Sequence, residues 1–400
     1  MQKNLPDPIV ICAARRTPLG AFLGALSSLS APELGSTAIS AALGDAKLSP
    51  EHVSEALIGC VLPGGVGQAP ARQACRGAGL PDSVGATTVN KVCGSGMKSV
   101  MLAHDLLVAG SARIVVAGGM ESMSNAPFML SKMRYGHKAG HEQVLDHMMW
   151  DGLEDAYEPG KPMGLFGEAA ASKYHLTRDA QDTFAIETLQ RARAASQGEA
   201  FDAEISPIEV PGRAGPITVD KDERPAMVSP EKIPKLKPAF AGNGTITAAS
   251  SSANADGAAA LVLCRRSTAE AESMPILATI AGHSTHSQDP SWYTTAPIPA
   301  IETLLARVGW AAGDVDLFEV NEAFAVVAMA AAKDIGIPRE NLNVNGGACA
   351  LGHPIGATGA RIIVTLVHAL RNRGLSKGIA ALCIGGGEAT AIAIEISHKS

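Results

Sequence analysis

The 400-residue sequence is poor in aromatic and charged side chains and has no closely spaced cysteine pair. Aromatic residues make up 4% and charged residues 18%, whereas hydrophobic residues reach 46% and glycine occupies 42 positions. This shortage of large side chains disfavours an all-β sandwich and suits helices packed closely on sheets. The low charge leaves apolar surface for subunit contacts, so we expect an oligomer.

Other absences bear on function and location. The net charge of −6 disfavours a dedicated nucleic-acid binder. The seven cysteines are widely spread and include no CxxC pair, which favours free or reactive thiols in a reducing compartment over a disulfide framework. No apolar run resembles a signal peptide or a membrane span. We therefore expect a cytoplasmic protein that binds neither nucleic acid nor membrane.

Short β-branched runs alternate with Ala-rich helical patterns in both parts of the chain. In the first part, strands are predicted at 8–13, 56–62, 86–90 and 113–118, and helices at 32–43, 69–79 and 93–109. In the second part, strands are predicted at 276–283, 315–320, 342–345, 379–384 and 390–396, and helices at 299–308, 322–335 and 356–373. Apolar strands separated by helices predict an α/β fold with a mostly parallel sheet covered on both faces.

The two parts resemble each other in detail, which predicts an internal duplication. The first contains TVN, then VCGSGMKS, then ARIVVAGGMES; the second contains NVN, then GHPIGATGAR, then KGIAALCIGGGEAT. Each is strand, Gly-rich turn, helix, strand and Gly-Gly turn. We predict an N-terminal α/β half at 1–121, completed by about 250–274, an inserted loop domain at 122–249, and a C-terminal α/β half at 275–400. The Gly turns of the two halves are expected to face one site.

Cys93 is the first candidate for chemistry. It lies in NKVCGSG, directly after a predicted strand and at the start of a predicted helix. A helix N-terminus offers unpaired N–H groups and partial positive charge, which lower the pKa of a thiol. The glycines would let a substrate approach the backbone. The alternative is a buried structural cysteine at a strand–helix turn.

Three further polar residues lie at comparable turns. His353, in GHPIGATG, is held before a helix, a setting that suits a neutral imidazole base. Cys383 closes a predicted strand before a Gly triplet, and catalytic residues gather at such strand ends. Structural roles remain open for both. Asn321 could be a helix N-cap, or it could position a water or the His353 loop.

Several separated segments, in order, resemble the thiolase family. They are VNKVCGSGMKS, NEAF, NVNGGACALGHPIGATGAR and CIGGGEATA, with PIVICAARRTPLG and AGGMESMSNAP also matching. The similarity covers essentially the whole chain. It implies a thiolase-like fold of two similar α/β/α layered halves, with an inserted loop domain that covers coenzyme A. It also implies an acyltransferase of lipid metabolism.

The resemblance implies a role for each candidate. Cys93 would take the acyl group as a thioester, and His353 would accept its proton. Cys383 would remove the α-proton of a second acetyl-CoA, or return a proton to the leaving enolate in cleavage. One oxyanion hole would consist of His353 and a water held by Asn321, and the other of the N–H groups of Cys93 and Gly385.

Substrate contacts are implied in the same way. Ser252 matches a serine expected near the pantetheine, and Arg224 could reach the nucleotide phosphates. Pro162 and Met163 stand where many short-chain members have His-Met, and Tyr293 where they commonly have Met. A tyrosine at that position should narrow the acyl pocket and favour acetoacetyl-CoA over long chains.

The implied reaction is the reversible Claisen condensation of two acetyl-CoA to acetoacetyl-CoA and coenzyme A, in a homotetramer or homodimer. Coenzyme A is then substrate, and we expect no cofactor and no catalytic metal: His141-Glu142 with His147 lacks HExxH spacing, and no dinucleotide fingerprint is complete. Three alternatives remain. They are a degradative thiolase for longer chains, a decarboxylating ketoacyl synthase, which needs a second catalytic histidine, and a non-catalytic acyl-CoA-binding relative.

Overall fold

The structure is a computed structural model that describes residues 7–397. Its strands are β1 Ile9–Arg16, β2 Gly20–Ala21, β3 Glu55–Gly59, β4 Gly85–Val89, β5 Ile114–Ser122, β6 Phe128–Leu130, β7 Val144–Asp146, β8 Ile208–Val210, β9 Ile217–Val219, β10 Ala255–Arg265, β11 Ala278–Ser287, β12 Leu317–Val320, β13 Lys377–Ile384 and β14 Glu388–Glu395. Its α-helices are α1 Ala31–Asp45, α2 Pro70–Gly77, α3 Ser95–Ala109, α4 Gly164–Tyr174, α5 Arg178–Gln197, α6 Arg224–Met227, α7 Arg266–Ala271, α8 Pro297–Val308, α9 Ala325–Ile335, α10 Ala348–Leu351 and α11 Thr358–Arg373.

Ten strands form one mixed sheet in the order β12-β13-β14-β11-β1-β10-β5-β3-β4, with β2 paired to β10. Only the β3–β4, β3–β5 and β12–β13 pairs are parallel among these strands. The prediction of a mostly parallel sheet was therefore wrong. Helical crossovers keep those three pairs parallel, but β14 follows β13 through a tight turn and must run back beside it. Apolar alternation does not reveal this reversal.

The two halves repeat one topology. The order β4-β3-β5-β10-β1 in the first half corresponds to Leu342-β12-β13-β14-β11 in the second, with matching strand directions. The predicted strand 342–345 was wrong, because only Leu342 forms a bridge, to Phe318. Next, Asn343 takes a left-handed φ of 49°. Its side-chain Oδ1 accepts from Val320 N and its Nδ2 donates to Val320 O, both at 2.9 Å. The side chain thus makes the hydrogen bonds that the backbone of a neighbouring strand would make.

Helices α3 and α11 lie side by side between the two halves. All of α11 from Thr358 to Leu370 is buried, as expected of a helix enclosed by other layers. One core joins α3, α11 and strands of both halves. The helices approach so closely that a side chain at Gly96 would lie 2.8 Å from the nitrogen of Ala360. Helices α1 and α2 cover the outer face of the first half, and α8 and α9 that of the second.

Between β5 and β10 the chain leaves the main sheet and forms the hairpins β6–β7 and β8–β9 together with α4, α5 and α6. Arg16, at the end of β1, fixes this inserted segment to the main sheet. Its guanidinium bonds Glu204 at 2.6 Å and Asp222 at 2.7 Å, and none of the three side chains is more than marginally exposed. Such charge-assisted bonds compensate the buried cation and fix where the segment crosses the sheet.

Candidate active site

Cys93 sits on a strained turn between β4 and α3. Val92 has a φ of 45°, which is an outlier for a β-branched side chain. The amide of Val92 donates to Asn90 Oδ1 at 3.0 Å, and Ser95 Oγ accepts from Lys91 N at 2.8 Å. These bonds hold the strained turn, and the half-buried Cys93 is thereby placed two residues before Ser95, the first residue of α3. Strain of this kind clusters at functional sites.

The thiol of Cys93 is neutral in the resting protein. Burial raises its pKa to about 11, although the backbone amides of Gly385 and Cys93 itself oppose the rise. The expectation that a helix N-terminus would lower this pKa was therefore wrong, because desolvation of the thiolate outweighs the amide dipoles. A nearby base must remove the proton when the sulfur acts as a nucleophile.

His353 has the protonation pattern of a neutral base. Its Nδ1 lies 2.6 Å from Thr358 Oγ1, and that hydroxyl donates its single proton to the carbonyl of Pro354 at 2.9 Å. Nδ1 must therefore carry the ring proton, which leaves the lone pair on Nε2. Burial, with the charge of Arg361 adding to it, lowers the pKa of His353 to about 3. Nε2 is buried and has no protein partner within residues 7–397.

Cys383 is fully buried at the end of β13, where the chain turns through a Gly triplet. Gly386 and Gly387 have φ of 91° and 89°, values that L-residues rarely adopt. Burial raises the pKa of Cys383 well above its ordinary value, and repulsion from Cys93 in its thiolate form acts in the same direction. Both thiols are thus protonated at neutral pH.

Small residues allow three turns to come into contact: the turn before α3, the turn before α11 and the turn after β13. A side chain at Gly94 would overlap Ile384, next to Cys383. A Cβ at Gly96 would lie 3.0 Å from the carbonyl oxygen of Gly356, in the loop that carries His353. Glycine removes these overlaps, so residues distant in sequence converge at one place. The two Gly-rich turns were predicted to face one site, and in the structure these turns lie in contact.

Asn321 is buried at the end of β12. Its backbone N–H donates to Ala381 O at 2.9 Å, but neither polar atom of its side chain has a partner in the described part of the chain. The N-cap alternative was wrong, because α9 begins at Ala325 and its N-cap position is Phe324. A buried amide with both polar atoms free is suited to holding a small polar ligand such as water.

A cavity of about 220 Å³ adjoins His353. Its lining is mostly apolar and includes Met163, Ser252 and Phe324. The side chain of Tyr293 is buried behind this wall and donates from its hydroxyl to Met163 O at 3.1 Å. Burial raises the pKa of its phenol well above the ordinary value, and repulsion from thiolate forms of Cys383 and Cys93 adds to the rise.

Two family models together match nearly the whole chain: the thiolase N-terminal domain over residues 9–267 and the thiolase C-terminal domain over residues 274–396. The chain belongs to the thiolase family. It is 48% identical to acetyl-CoA acetyltransferase 2 of Arabidopsis thaliana, over 98% of each chain. It is 46% identical to an acetyl-CoA acetyltransferase of Cupriavidus necator, over 97% of this chain and 99% of the relative. A probable acetyl-CoA acyltransferase of Staphylococcus aureus is 45% identical, over 96% and 98%.

The remaining candidate residues of this thiolase, Ser252 and Arg224, belong to the segment between β5 and β10, and Ser252 lines the cavity. Ser252 is half-buried, and its amide donates to Ala323 O at 2.9 Å. Arg224 is also half-buried, with its Cδ close to where a Cβ of Gly352 would lie, beside His353. Its Nε has no partner among residues 7–397. The structure therefore puts Arg224 next to the histidine loop and not on an open surface.

Sequence reasoning missed a buried carboxylate that organises this thiolase site. Glu121, at the end of β5, accepts from Val61 N at 3.0 Å, Leu62 N at 3.1 Å and Gly356 N at 2.9 Å. Burial raises its pKa to about 7 against the effect of these bonds. The carboxylate fixes the loop that carries His353. The available signal was the Glu that follows the Gly-Gly pair in each copy of the repeat, Glu121 and Glu388, but nothing in the pattern showed where the side chain points.

Proposed function

We propose that this thiolase is an acetyl-CoA C-acetyltransferase that interconverts two acetyl-CoA with acetoacetyl-CoA and coenzyme A through an acyl-cysteine. One observation carries the proposal: the turns that hold Cys93 and Cys383 pack against each other, and His353, on a loop that also contacts the Cys93 turn, lines a small apolar cavity. Relatives of nearly equal length that are named acetyl-CoA acetyltransferase support it.

In the cleavage direction, the resting protonation states define the first step. His353 Nε2 accepts the proton of Cys93, and the thiolate attacks the C3 carbonyl of acetoacetyl-CoA. The amides of Cys93 and Gly385 stabilise the oxyanion that forms. When the C2–C3 bond breaks, Cys93 keeps the acetyl group and Cys383 donates its proton to the departing enolate carbon. A water held by Asn321, together with His353, stabilises the enolate oxygen.

The second step restores the enzyme. Coenzyme A gives its thiol proton to the Cys383 thiolate and attacks the acetyl group on Cys93. The departing Cys93 thiolate recovers its proton from His353, and a second acetyl-CoA leaves. Condensation is the reverse sequence, in which Cys383 removes the α-proton of acetyl-CoA. Both directions use the same groups, and we expect no metal or further cofactor to take part.

Steady-state rates with free coenzyme A test the substrate class. We expect kcat/KM for acetoacetyl-CoA to exceed that for 3-ketohexanoyl-CoA and longer substrates. Activity that rises with chain length would instead establish the degradative thiolase. Binding of acyl-CoA without turnover would establish the non-catalytic relative.

Tyr293 is the residue that we expect to limit chain length, because its buried ring backs the Met163 wall of the cavity. Tyr293→Ala should raise the ratio of kcat/KM for 3-ketohexanoyl-CoA to that for acetoacetyl-CoA by about 10-fold, since one or two methylenes are worth that much in a pocket. Tyr293→Phe keeps the ring and loses only the hydroxyl bond, so its ratio should stay near wild type. An unchanged ratio in the alanine variant would remove Tyr293 from specificity.

Ser252 and Arg224 complete the proposed coenzyme A site. Ser252 lines the cavity and can bond the pantetheine amide. Arg224, whose Cδ lies beside the histidine loop and whose Nε has no partner among residues 7–397, is the residue that we expect to reach the nucleotide phosphates.

We further propose that the protein is a cytoplasmic homotetramer or homodimer. All seven cysteines are free, which suits a reducing compartment. None of the helices between residues 7 and 397 is long and apolar enough to cross a membrane. The β6–β7 hairpin region exposes several large apolar side chains, as association surfaces do: Phe128, Leu130, Met133, Tyr135 and Val144.

The hairpin gives a direct test of assembly. Light scattering after size exclusion should give a mass of two or four chains for the wild type. The double variant Phe128→Asp/Val144→Asp should shift the mass to a smaller assembly, because charge disfavours burial at an interface. Ile217→Asp, at an equally exposed apolar site on β9, is the matched control. A monomeric wild-type protein would contradict the proposal.

A further inference from the structure

A cluster of two histidines and one aspartate lies outside the active site, where α3 meets β11. His104 Nδ1 is 3.2 Å and His283 Nε2 is 2.9 Å from the same oxygen, Oδ1 of Asp105. The three possible ligand atoms all lie within 4.8 Å of one another. His104 is buried, His283 is half-buried and Asp105 is exposed, so the group is fixed on one side and open to solvent on the other.

We propose that His104, Asp105 and His283 bind a divalent transition metal ion, with Zn²⁺ as the best fit, and that water completes the coordination. Zinc bonds to imidazole nitrogen and carboxylate oxygen are about 2.0–2.2 Å long, which places tetrahedral ligand atoms about 3.3 Å apart. The two nitrogen–oxygen separations are close to that spacing. Two imidazoles with one carboxylate suit zinc, whereas calcium and magnesium prefer oxygen ligands.

The proposed site is structural and separate from the chemistry. His104 lies nine residues after Ser95, the first residue of α3, which corresponds to a rise of about 14 Å along the helix. His104 and Asp105 belong to the first half of the fold, and His283 belongs to the first strand of the second half. A bound ion would therefore cross-link the two halves. Since it binds only the folded chain, it would raise the thermal stability of the protein.

Hydrogen bonding alone is the competing explanation, since each imidazole can donate an N–H to the carboxylate. Asp105→Asn separates the two explanations. The asparagine oxygen still accepts a hydrogen bond, but a neutral amide is a much poorer zinc ligand than a carboxylate. Asp105 is exposed, so the substitution leaves the packing of α3 intact. His283→Gln provides a second, independent loss of a ligand.

The test is calorimetric titration of the full-length protein with Zn²⁺, after iodoacetamide has blocked the accessible thiols, which would otherwise compete for zinc. We expect one ion per chain with an upward shift of the thermal transition. Asp105→Asn and His283→Gln should each weaken binding by about 10-fold or more, because even supporting groups of metal sites contribute that much. His52→Gln is the matched control: His52 lies 3.1 Å from Glu272, and within residues 7–397 this imidazole–carboxylate pair belongs to no group of three possible metal ligands.

Two results would overturn the proposal. One is zinc binding that Asp105→Asn and His283→Gln both leave unchanged, which would place the ion on other surface histidines. The other is the absence of any titratable zinc in the alkylated wild type. Anomalous diffraction from zinc-soaked crystals gives the same decision independently of the variants: the peak must lie among His104, Asp105 and His283, and a peak only elsewhere refutes the site.

Discussion

Cys93→Ser will not be acetylated by acetyl-CoA and will lose acetoacetyl-CoA cleavage by at least about 10³-fold, because removing the nucleophile of a catalytic unit costs up to about 10⁶-fold. The physical reason is that the only base proposed to activate residue 93 is a neutral imidazole. A neutral His353 can remove a thiol proton, but a serine hydroxyl is far less acidic and its alkoxide would be desolvated in the same buried turn. The packing around residue 93 changes little, so the loss reports chemistry and not folding.

Intact-protein mass spectrometry after brief exposure to acetyl-CoA measures this directly. The wild type should gain one acetyl group per chain, and peptide mapping should place it on Cys93. Cys75→Ser makes the same substitution at a buried cysteine of the α1–α2 core and should be acetylated like the wild type. Acetylation that survives in Cys93→Ser would show that another group is the nucleophile, and the proposed mechanism would fail.

Cys383→Ala separates the two halves of the reaction. This variant should still be acetylated at Cys93 by acetyl-CoA, because coenzyme A, whose thiol is about as acidic as that of cysteine, can leave as a thiolate without the proton that Cys383 would give it. It should lose condensation and cleavage by about 10²–10⁴-fold, the usual contribution of a positioned general acid–base. The proton that must move to or from the α-carbon then has no carrier, because alanine has no group that can hold it.

A second signal for Cys383 is exchange of the acetyl-CoA methyl protons with deuterium oxide, followed by NMR. Wild-type enzyme should catalyse the exchange, and Cys383→Ala should not. Cys349→Ala, at a buried cysteine whose thiol contacts the carbonyl of Glu322 at 3.6 Å, is the matched control and should retain exchange. Condensation at the wild-type rate by Cys383→Ala would remove Cys383 from the mechanism.

Much of the fold followed from local pattern. Most predicted helices and strands occur within a few residues of their expected limits, and the duplication appears as one strand order used twice. The errors have physical reasons. The direction of a strand depends on how the chain returns to the sheet, so β14 looks in sequence like a strand of a parallel sheet. At 342–345 the side chain of Asn343 takes over the hydrogen bonds of a strand, which an apolar pattern cannot show.

For the candidate site, too, some features could be predicted from the sequence and others depended on the tertiary structure. The sequence by itself, through its resemblance to the thiolase family, predicted which residues carry the chemistry; for each of them taken alone a structural role stayed open. Only the tertiary structure decided their protonation. Cys93 was expected to be acidic from its place at a helix N-terminus, yet burial raises the pKa of its thiol. The desolvation of a thiol depends on all the atoms packed around it. Those atoms come from segments that are distant in sequence, so the local sequence around Cys93 does not show how strongly its thiol is desolvated. The tautomer of His353 likewise depends on Thr358 and Pro354 meeting in space.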